Sequence, residues 1–235
     1  MRIMITGATS GIGYQLAMAY AEKGHQVIAC GRNQARLEEL VSQSVNITSL
    51  CFDLTQYQNY PDLKESLDIL IFNAGDCEYI DDSLNFDAKM FERVIKINLI
   101  SVAYGLEKWL KHINKKGRLV LVSSSAALLP LPRAEAYGTS KAGLTYLSKT
   151  LAISLKEHEI NVTTVHPGFV DTPLTQKNNF PMPMLINSKD AASKIIRGID
   201  KEKSEINFPT VFVLLMKCFS FLPLSIWQRL ASRMV

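Results

Sequence analysis

Five residues from the start, the apolar run Ile3-Met4-Ile5 leads into Thr6-Gly7-Ala8-Thr9-Ser10-Gly11-Ile12-Gly13 and then into a helix-forming stretch. No other feature limits the chain's fold as tightly, because a strand that ends in a glycine-rich turn and opens a helix is a phosphate cradle. Gly7 permits the tight turn, Gly11 keeps side chains away from an incoming pyrophosphate, and Gly13 lets the helix pack close on the sheet. Backbone N–H groups at the helix start, aided by the helix dipole, then face the negative phosphates. The spacing is G-x-x-x-G-x-G rather than G-x-G-x-x-G, and a purely structural turn is the plain alternative. The strand-to-helix context favours dinucleotide binding.

The rest of the chain continues that rhythm. Apolar runs at 2–6, 25–30, 47–52, 68–73, 118–123, 161–166 and 205–208 read as strands. They alternate with amphipathic stretches at 11–23, 33–43, 87–114, 135–158 and 189–200, the pattern of an α/β fold with a parallel sheet covered by helices on both faces. The segment 54–66, interrupted by Pro61, has room only for a short helix. With 235 residues, 47% hydrophobic and 20% charged, the expectation is one well-buried domain over 1–235.

Net charge is a modest +4, and the local cluster Lys108, Lys111, Lys115 and Lys116 falls near the end of a predicted helix, where a solvated cationic face suits the dipole. Nucleic acid is not an expected partner. The four cysteines lack any C-x-x-C pairing; Cys30 and Cys51 close strand-like runs and are expected as small buried hydrophobes. With Met1 leading straight into the first strand, no leader is expected, and the expected location is cytoplasmic.

From Phe208 onward the rhythm changes to a tail rich in Phe, Val, Leu, Ile and Met. Its longest uncharged run, Ile206 to Met216, is too short to span a bilayer. Two short helices around Pro223 are expected, packing on the domain or forming an interface; contact with a membrane surface beside Arg229 and Arg233 is the less favoured alternative.

Tyr137 and Lys141 stand at i and i+4, on one helix face. The spacing alone proves nothing, since it recurs at Tyr60/Lys64 and Tyr104/Lys108. Context separates this copy: it follows a strand ending in Ser123-Ser124-Ser125, and carboxyl ends of strands are where open α/β folds place their sites.

Taken in order, the glycine turn, Asp53 after the third strand, Asn73-Ala74-Gly75 after the fourth, Asn98, the serine run, Y-x-x-x-K and Pro167-Gly168 followed by Thr172 resemble the short-chain dehydrogenase/reductase family in its compact single-domain branch. The resemblance runs from Arg2 to about Pro209. It implies a Rossmann-type doubly wound sheet of about seven strands, an NAD(P)-dependent oxidoreductase and a homodimer or homotetramer built on the two long helices. It also implies Tyr137 as the catalytic acid/base and Lys141 as the cation favouring its phenolate. Ser124, thirteen positions before the tyrosine, would bind the substrate oxygen, and Asn98 would support a relay water.

Cofactor residues implied in the same way are Gly7, Thr9, Ser10, Gly11, Ile12 and Gly13 in the turn. Asp53 and Leu54 would lie at the adenine, and Asn73, Ala74 and Gly75 at the ribose. Pro167, Gly168, Val170 and Thr172 would lie at the nicotinamide, with Tyr137 and Lys141. At the end of the second strand Gly31 stands where an acidic residue would bind ribose hydroxyls, and Arg32 follows. A guanidinium suits a 2′-phosphate, so NADP(H) is preferred and NAD(H) possible. His166 is read as structural, and the scattered histidines give no metal site.

The substrate side supplies Ala126, Leu128, Leu129, Phe169, Leu174, Phe180, Met182, Met184 and Leu185, an apolar set suited to a hydrophobic ketone or aldehyde, although half of these could simply fill their own loop. The expected activity is NADPH-dependent carbonyl reduction. The alternatives are alcohol oxidation by the same residues and, less favoured, a non-catalytic NADPH sensor.

Overall fold

The computed structural model describes residues 1–233. Strands β1 (Arg2–Thr6), β2 (Gln26–Gly31), β3 (Ile47–Cys51), β4 (Leu67–Phe72), β5 (Ile113–Val122), β6 (Asn161–Pro167) and β9 (Glu205–Phe208) form one sheet in the order β3-β2-β1-β4-β5-β6-β9. Every pairing is parallel. The order reverses between β1 and β4, where such sheets open a crevice at their carboxyl ends.

Alternation along each strand divides the core in two. Ile3, Ile5, Val27, Ala29, Ile69 and Ile71 face helices α1 (Gly11–Glu22), α2 (Gln34–Ser42) and α6 (Ser188–Asp200). Met4, Cys30, Leu70, Phe72, Leu119 and Leu121 face α4 (Ser101–Trp109) and α5 (Glu135–Ser154). Burial on both faces explains why these strands read as continuous apolar runs.

The stretch expected as one helix over 87–114 is instead α3 (Ala88–Ile95), a π turn (Lys96–Ile100) and α4. Ile113 pairs with Leu67 as the start of β5, so the helix ends earlier and Lys115 and Lys116 lie in the strand. The lysine cluster is therefore split: Lys108 and Lys111 stand in last helical turns as expected, whereas Lys115 and Lys116 do not; Lys108 pairs with Asp62 and Lys115 with Glu159. Cys30 is buried as expected, but Cys51 is exposed because β3 is the edge strand and ends there.

A two-stranded pair, β7 (Val170–Asp171) with β8 (Ile186–Asn187), closes the base of the 172–185 loop. The tail forms α7 (Thr210–Ser220) and α8 (Leu224–Ala231) on either side of Pro223. Val213, Met216, Trp227 and Ala231 turn inward, and Trp227 donates its indole N–H to the Pro130 carbonyl at 2.7 Å. No helix among the described residues is long and apolar enough to cross a membrane.

Candidate active site

A cleft lies over the carboxyl ends of β1, β2 and β4, with the glycine turn as its floor. Gly7 and Gly11 have φ of +67° and +53°, a region in which side chains are strained. A Cβ at Gly11 would stand 2.9 Å from the Thr172 methyl, and one at Gly13 would collide with the Gly7 carbonyl. The turn is held from behind. Thr6 Oγ1 accepts the N–H groups of Asn73 (3.1 Å) and Ala74 (3.2 Å), while Asn73 Nδ2 donates to the carbonyls of Thr6 (3.1 Å) and Gly7 (3.2 Å). The Asn73 amide is thus committed to the turn.

The cleft has two adjoining lobes. One, of about 360 Å³, gathers Gly31, Arg32, Asp53 and Leu54 with Thr9 and Ser10. The other, of about 270 Å³, gathers Gly11, Ile12, Ser124, Tyr137 and Lys141, with Pro167, Gly168, Val170 and Thr172. Ala74 and Gly75 line both. Asp53 Oδ1 also accepts the N–H and hydroxyl of Thr55 at 2.8 and 2.7 Å, and the Thr55 N–H holds its pKa below the usual carboxylate value. It both caps its turn and faces the cleft. Arg36, four residues beyond Arg32 and unremarked in the sequence reading, lines the first lobe as well. Its signal was the i, i+4 spacing of two arginines at a helix start.

Two lobes sharing a glycine-rich floor, cationic at one end and carrying proton donors at the other, suit an extended dinucleotide with phosphates at the start of α1. Backbone positions that no Cβ could occupy without collision form that floor, so the residues present fit a nicotinamide dinucleotide.

Around the second lobe, Ser124 stands two residues beyond β5; its Oγ accepts the Ala126 N–H at 3.1 Å, and it lines the lobe together with Tyr137. Burial pushes the Tyr137 pKa up, and the nearby Ser124 hydroxyl pulls it back. One helical turn on, Lys141 is buried, donates to the Val122 carbonyl at 2.9 Å and lies 5.8 Å from the Tyr137 ring centroid. Burial pushes its pKa down to about 8. Gly75 packs closely on both side chains: a Cβ there would come within 3.1 Å of Asn98 Oδ1 and 3.3 Å of Lys141 Nζ, so a larger residue would require one of them to shift.

Asn98 sits in the π turn, completely buried. Its Oδ1 accepts the Asp76 N–H at 2.8 Å, and its Nδ2 donates to the Asp76 carbonyl (2.8 Å) and Ser140 Oγ (2.9 Å). It thereby ties the loop after β4 to α5 beside Lys141. Sequence reading overlooked Cys77 in that loop, a thiol pushed up to about 11 by burial and close enough to Lys141 for charge coupling. Nothing in its local spacing marked it.

His166 is fully buried between Thr145 Oγ1 (3.2 Å) and Glu205 Oε1 (3.1 Å), away from the lobes, as a structural residue should be.

The anticipated substrate residues divide. Phe169 packs on Phe180 and on Phe212 of α7, and Tyr79 meets Phe180 edge-on at 5.2 Å. Arg133 spans Asp81, Asn179 and both of the Tyr79 and Phe180 rings, joining three loops. Leu128 and Leu129 belong instead to the packing beneath Met216 and Trp227. Leu174 lines the dinucleotide cleft, while Met184 and Leu185 are exposed.

Similarity to known proteins agrees with this geometry. Residues 1–182 match the short chain dehydrogenase family. An uncharacterized oxidoreductase of Myxococcus xanthus is 31% identical over 98% of this chain and 96% of its own. The 11-beta-hydroxysteroid dehydrogenase-like 3 protein of Arabidopsis thaliana is 29% identical over 88% of this chain and 73% of its own. In fold, the chain resembles a serine dehydrogenase solved in its closed form with NADP+, with a TM-score of 0.76 at 22% identity over 88% of this chain and 94% of that one. It also resembles BdcA solved with NADPH, with a TM-score of 0.74 at 19% identity over 88% of this chain and 92% of that one. With its glycine turn, parallel sheet and Ser-Tyr-Lys cluster all in order, the chain belongs to the short-chain dehydrogenase family of NAD(P)-dependent oxidoreductases.

Proposed function

We propose that the protein is an NADPH-dependent carbonyl reductase acting on a hydrophobic ketone or aldehyde. The observation that carries the reading is the convergence of Ser124, Tyr137 and Lys141 in the lobe that continues from the glycine turn. A structural turn or an isolated helix-surface lysine would not bring those three groups together.

The bound cofactor supplies a hydride. The Tyr137 phenol gives its proton to the substrate carbonyl oxygen, and the Ser124 hydroxyl hydrogen-bonds that oxygen as charge develops. At neutral pH Lys141, with a pKa of about 8, is mostly an ammonium, and its charge near the ring lowers the cost of the phenolate left behind. Asn98 keeps Asp76 and Ser140 in place, so that α5 presents Tyr137 and Lys141 in register. Gly7, Gly11 and Gly13 would leave room for the pyrophosphate, and Asp53 and Leu54 would flank the adenine.

NADP(H) is preferred over NAD(H) in this reading because Arg32 and Arg36 both border the first lobe and no acidic side chain stands at position 31. The aromatic cluster of Tyr79, Phe169 and Phe180, with Phe169 between the lobe-lining Gly168 and Val170, supports an apolar substrate. Helices α4 and α5 are the proposed subunit surface, α5 exposing Tyr146 and Ile153.

Loss of NADPH absorbance on mixing the protein with hydrophobic ketones, aldehydes and quinones tests the reading, with Tyr137→Phe as control. Turnover that disappears in the variant supports it. NADPH binding without turnover on any carbonyl of these classes argues for the sensor.

A further inference from the structure

Helix α7 shows the solvent a continuous apolar stripe. Val211, Leu214, Leu215 and Phe219 recur at i, i+3, i+4 and i+8, and the stripe continues over the turn through Phe221 to Leu224. Val211, Leu214, Phe221 and Leu224 are 60, 59, 87 and 61% exposed. The opposite side of the same helices is already packed, through Val213, Met216 and Trp227, so this face is not the inner side of the tail. Exposed apolar patches of such continuity mark surfaces that meet something.

Charge indicates what that is. Between Ile206 and Val235 there is no aspartate or glutamate, and the ionised side chains are Lys217, Arg229 and Arg233. Lys217 is held by Glu205 at 2.8 Å, whereas Arg229 and Arg233 form no ion pair among the described residues. In a symmetric pairing of two copies the face would meet itself, bringing arginines together with no carboxylate of the segment to offset them. A lipid surface with anionic headgroups satisfies both features at once: acyl chains receive the apolar stripe and headgroups receive the arginines.

We infer that the α7–α8 face docks the protein on an anionic membrane surface. The helices lie in the interface without crossing it, since α7 has 11 residues and α8 has 8. Phe212, on α7, touches Phe169 and crowds Gly168, so docking places the lipid boundary next to the second lobe. That consequence, delivery of a lipid-soluble substrate, rests on the reductase reading; the docking does not.

The test is flotation of the full chain with phosphatidylcholine vesicles, with and without phosphatidylserine, at low and high salt. Binding is expected with phosphatidylserine and is expected to weaken as salt rises. Arg229→Gln should weaken it about fivefold, and Leu214→Ser with Phe221→Ser about tenfold or more. Both variants change exposed side chains and should retain the wild-type circular dichroism spectrum. No binding to phosphatidylserine vesicles overturns the inference. So does a concentration-dependent dimer in sedimentation equilibrium that Leu214→Ser with Phe221→Ser abolishes, because the face would then be covered by a second copy. Vesicle binding needs neither cofactor nor turnover, so failure here and failure of the reductase reading are separate results.

Discussion

Thr9 closes the space at Gly31: a Cβ built on Gly31 would lie 2.5 Å from the Thr9 methyl carbon. The position where an acidic side chain would grip the ribose hydroxyls is therefore shut as well as vacant of charge. Gly31→Asp alone should overpack the turn, costing about 1–3 kcal/mol in urea unfolding, without creating NADH-dependent activity. The double change Thr9→Gly with Gly31→Asp should gain that activity. Equal NADH turnover in the single and double variants would show that Thr9 is no obstacle.

Arg32 and Arg36 should act on one cofactor and not the other. Arg32→Ala is expected to raise the KM for NADPH about tenfold or more and leave that for NADH within about twofold. Arg36→Ala should do the same more weakly, and both effects should shrink at high salt. A parallel loss with both cofactors would mean that the arginines stabilise the loop and do not discriminate.

The placement of Ser124 and Tyr137 in one lobe predicts a division of labour. Tyr137→Phe should lower kcat by about 10²–10⁴-fold with NADPH affinity retained. Ser124→Ala should lower it by about 10²–10³-fold. Fluorescence titration with NADPH separates binding from chemistry, and a Tyr137→Phe variant that turns over normally would remove the phenol from the mechanism.

Lys141 carries a stability cost with a defined sign. Its pKa falls from 10.5 in the unfolded chain to about 8 when buried, so between those values the unfolded chain holds more protons and stability rises with pH. Lys141→Met should thus be inactive yet more stable at neutral pH, by at most about 3 kcal/mol. The difference between the two proteins should close as pH climbs from about 8 to 10.5. Urea titrations of both across that window test it, and a constant difference would contradict the buried, depressed lysine.

Asn98 holds Asp76 through both its acceptor and its donor, so Asn98→Ala leaves buried polar groups without partners. An expected loss of about 2–4 kcal/mol follows. Because Asn98 positions α5 and does not touch substrate in this reading, kcat should fall with KM for NADPH little changed. Asn98→Asp should not rescue it, since a carboxylate cannot donate to Ser140.

Much of this was legible beforehand because elements are written in local periodicity. The seven strands appear within a residue or two of their apolar runs, except β5, whose start at Ile113 was hidden by polar residues that pair with β4 only once the sheet assembles. The helix over 87–114 broke for the same reason, and its π turn exists to point Asn98 at Asp76, 22 positions earlier.

The sequence by itself determined the sheet, the glycine turn and the order of Ser124, Tyr137 and Lys141, since each depends on neighbours a few residues away. Only the tertiary structure decided that Arg36 joins Arg32 at the cleft, that Thr9 shuts position 31, and that Cys77 is buried within charge range of the lysine. It also decided which side of the apolar tail is packed: Trp227 reaches Pro130 across 97 residues, leaving Leu214 and Phe221 outside. Such contacts are set by how finished elements pack, and an apolar side chain looks the same in sequence whether it meets protein or solvent.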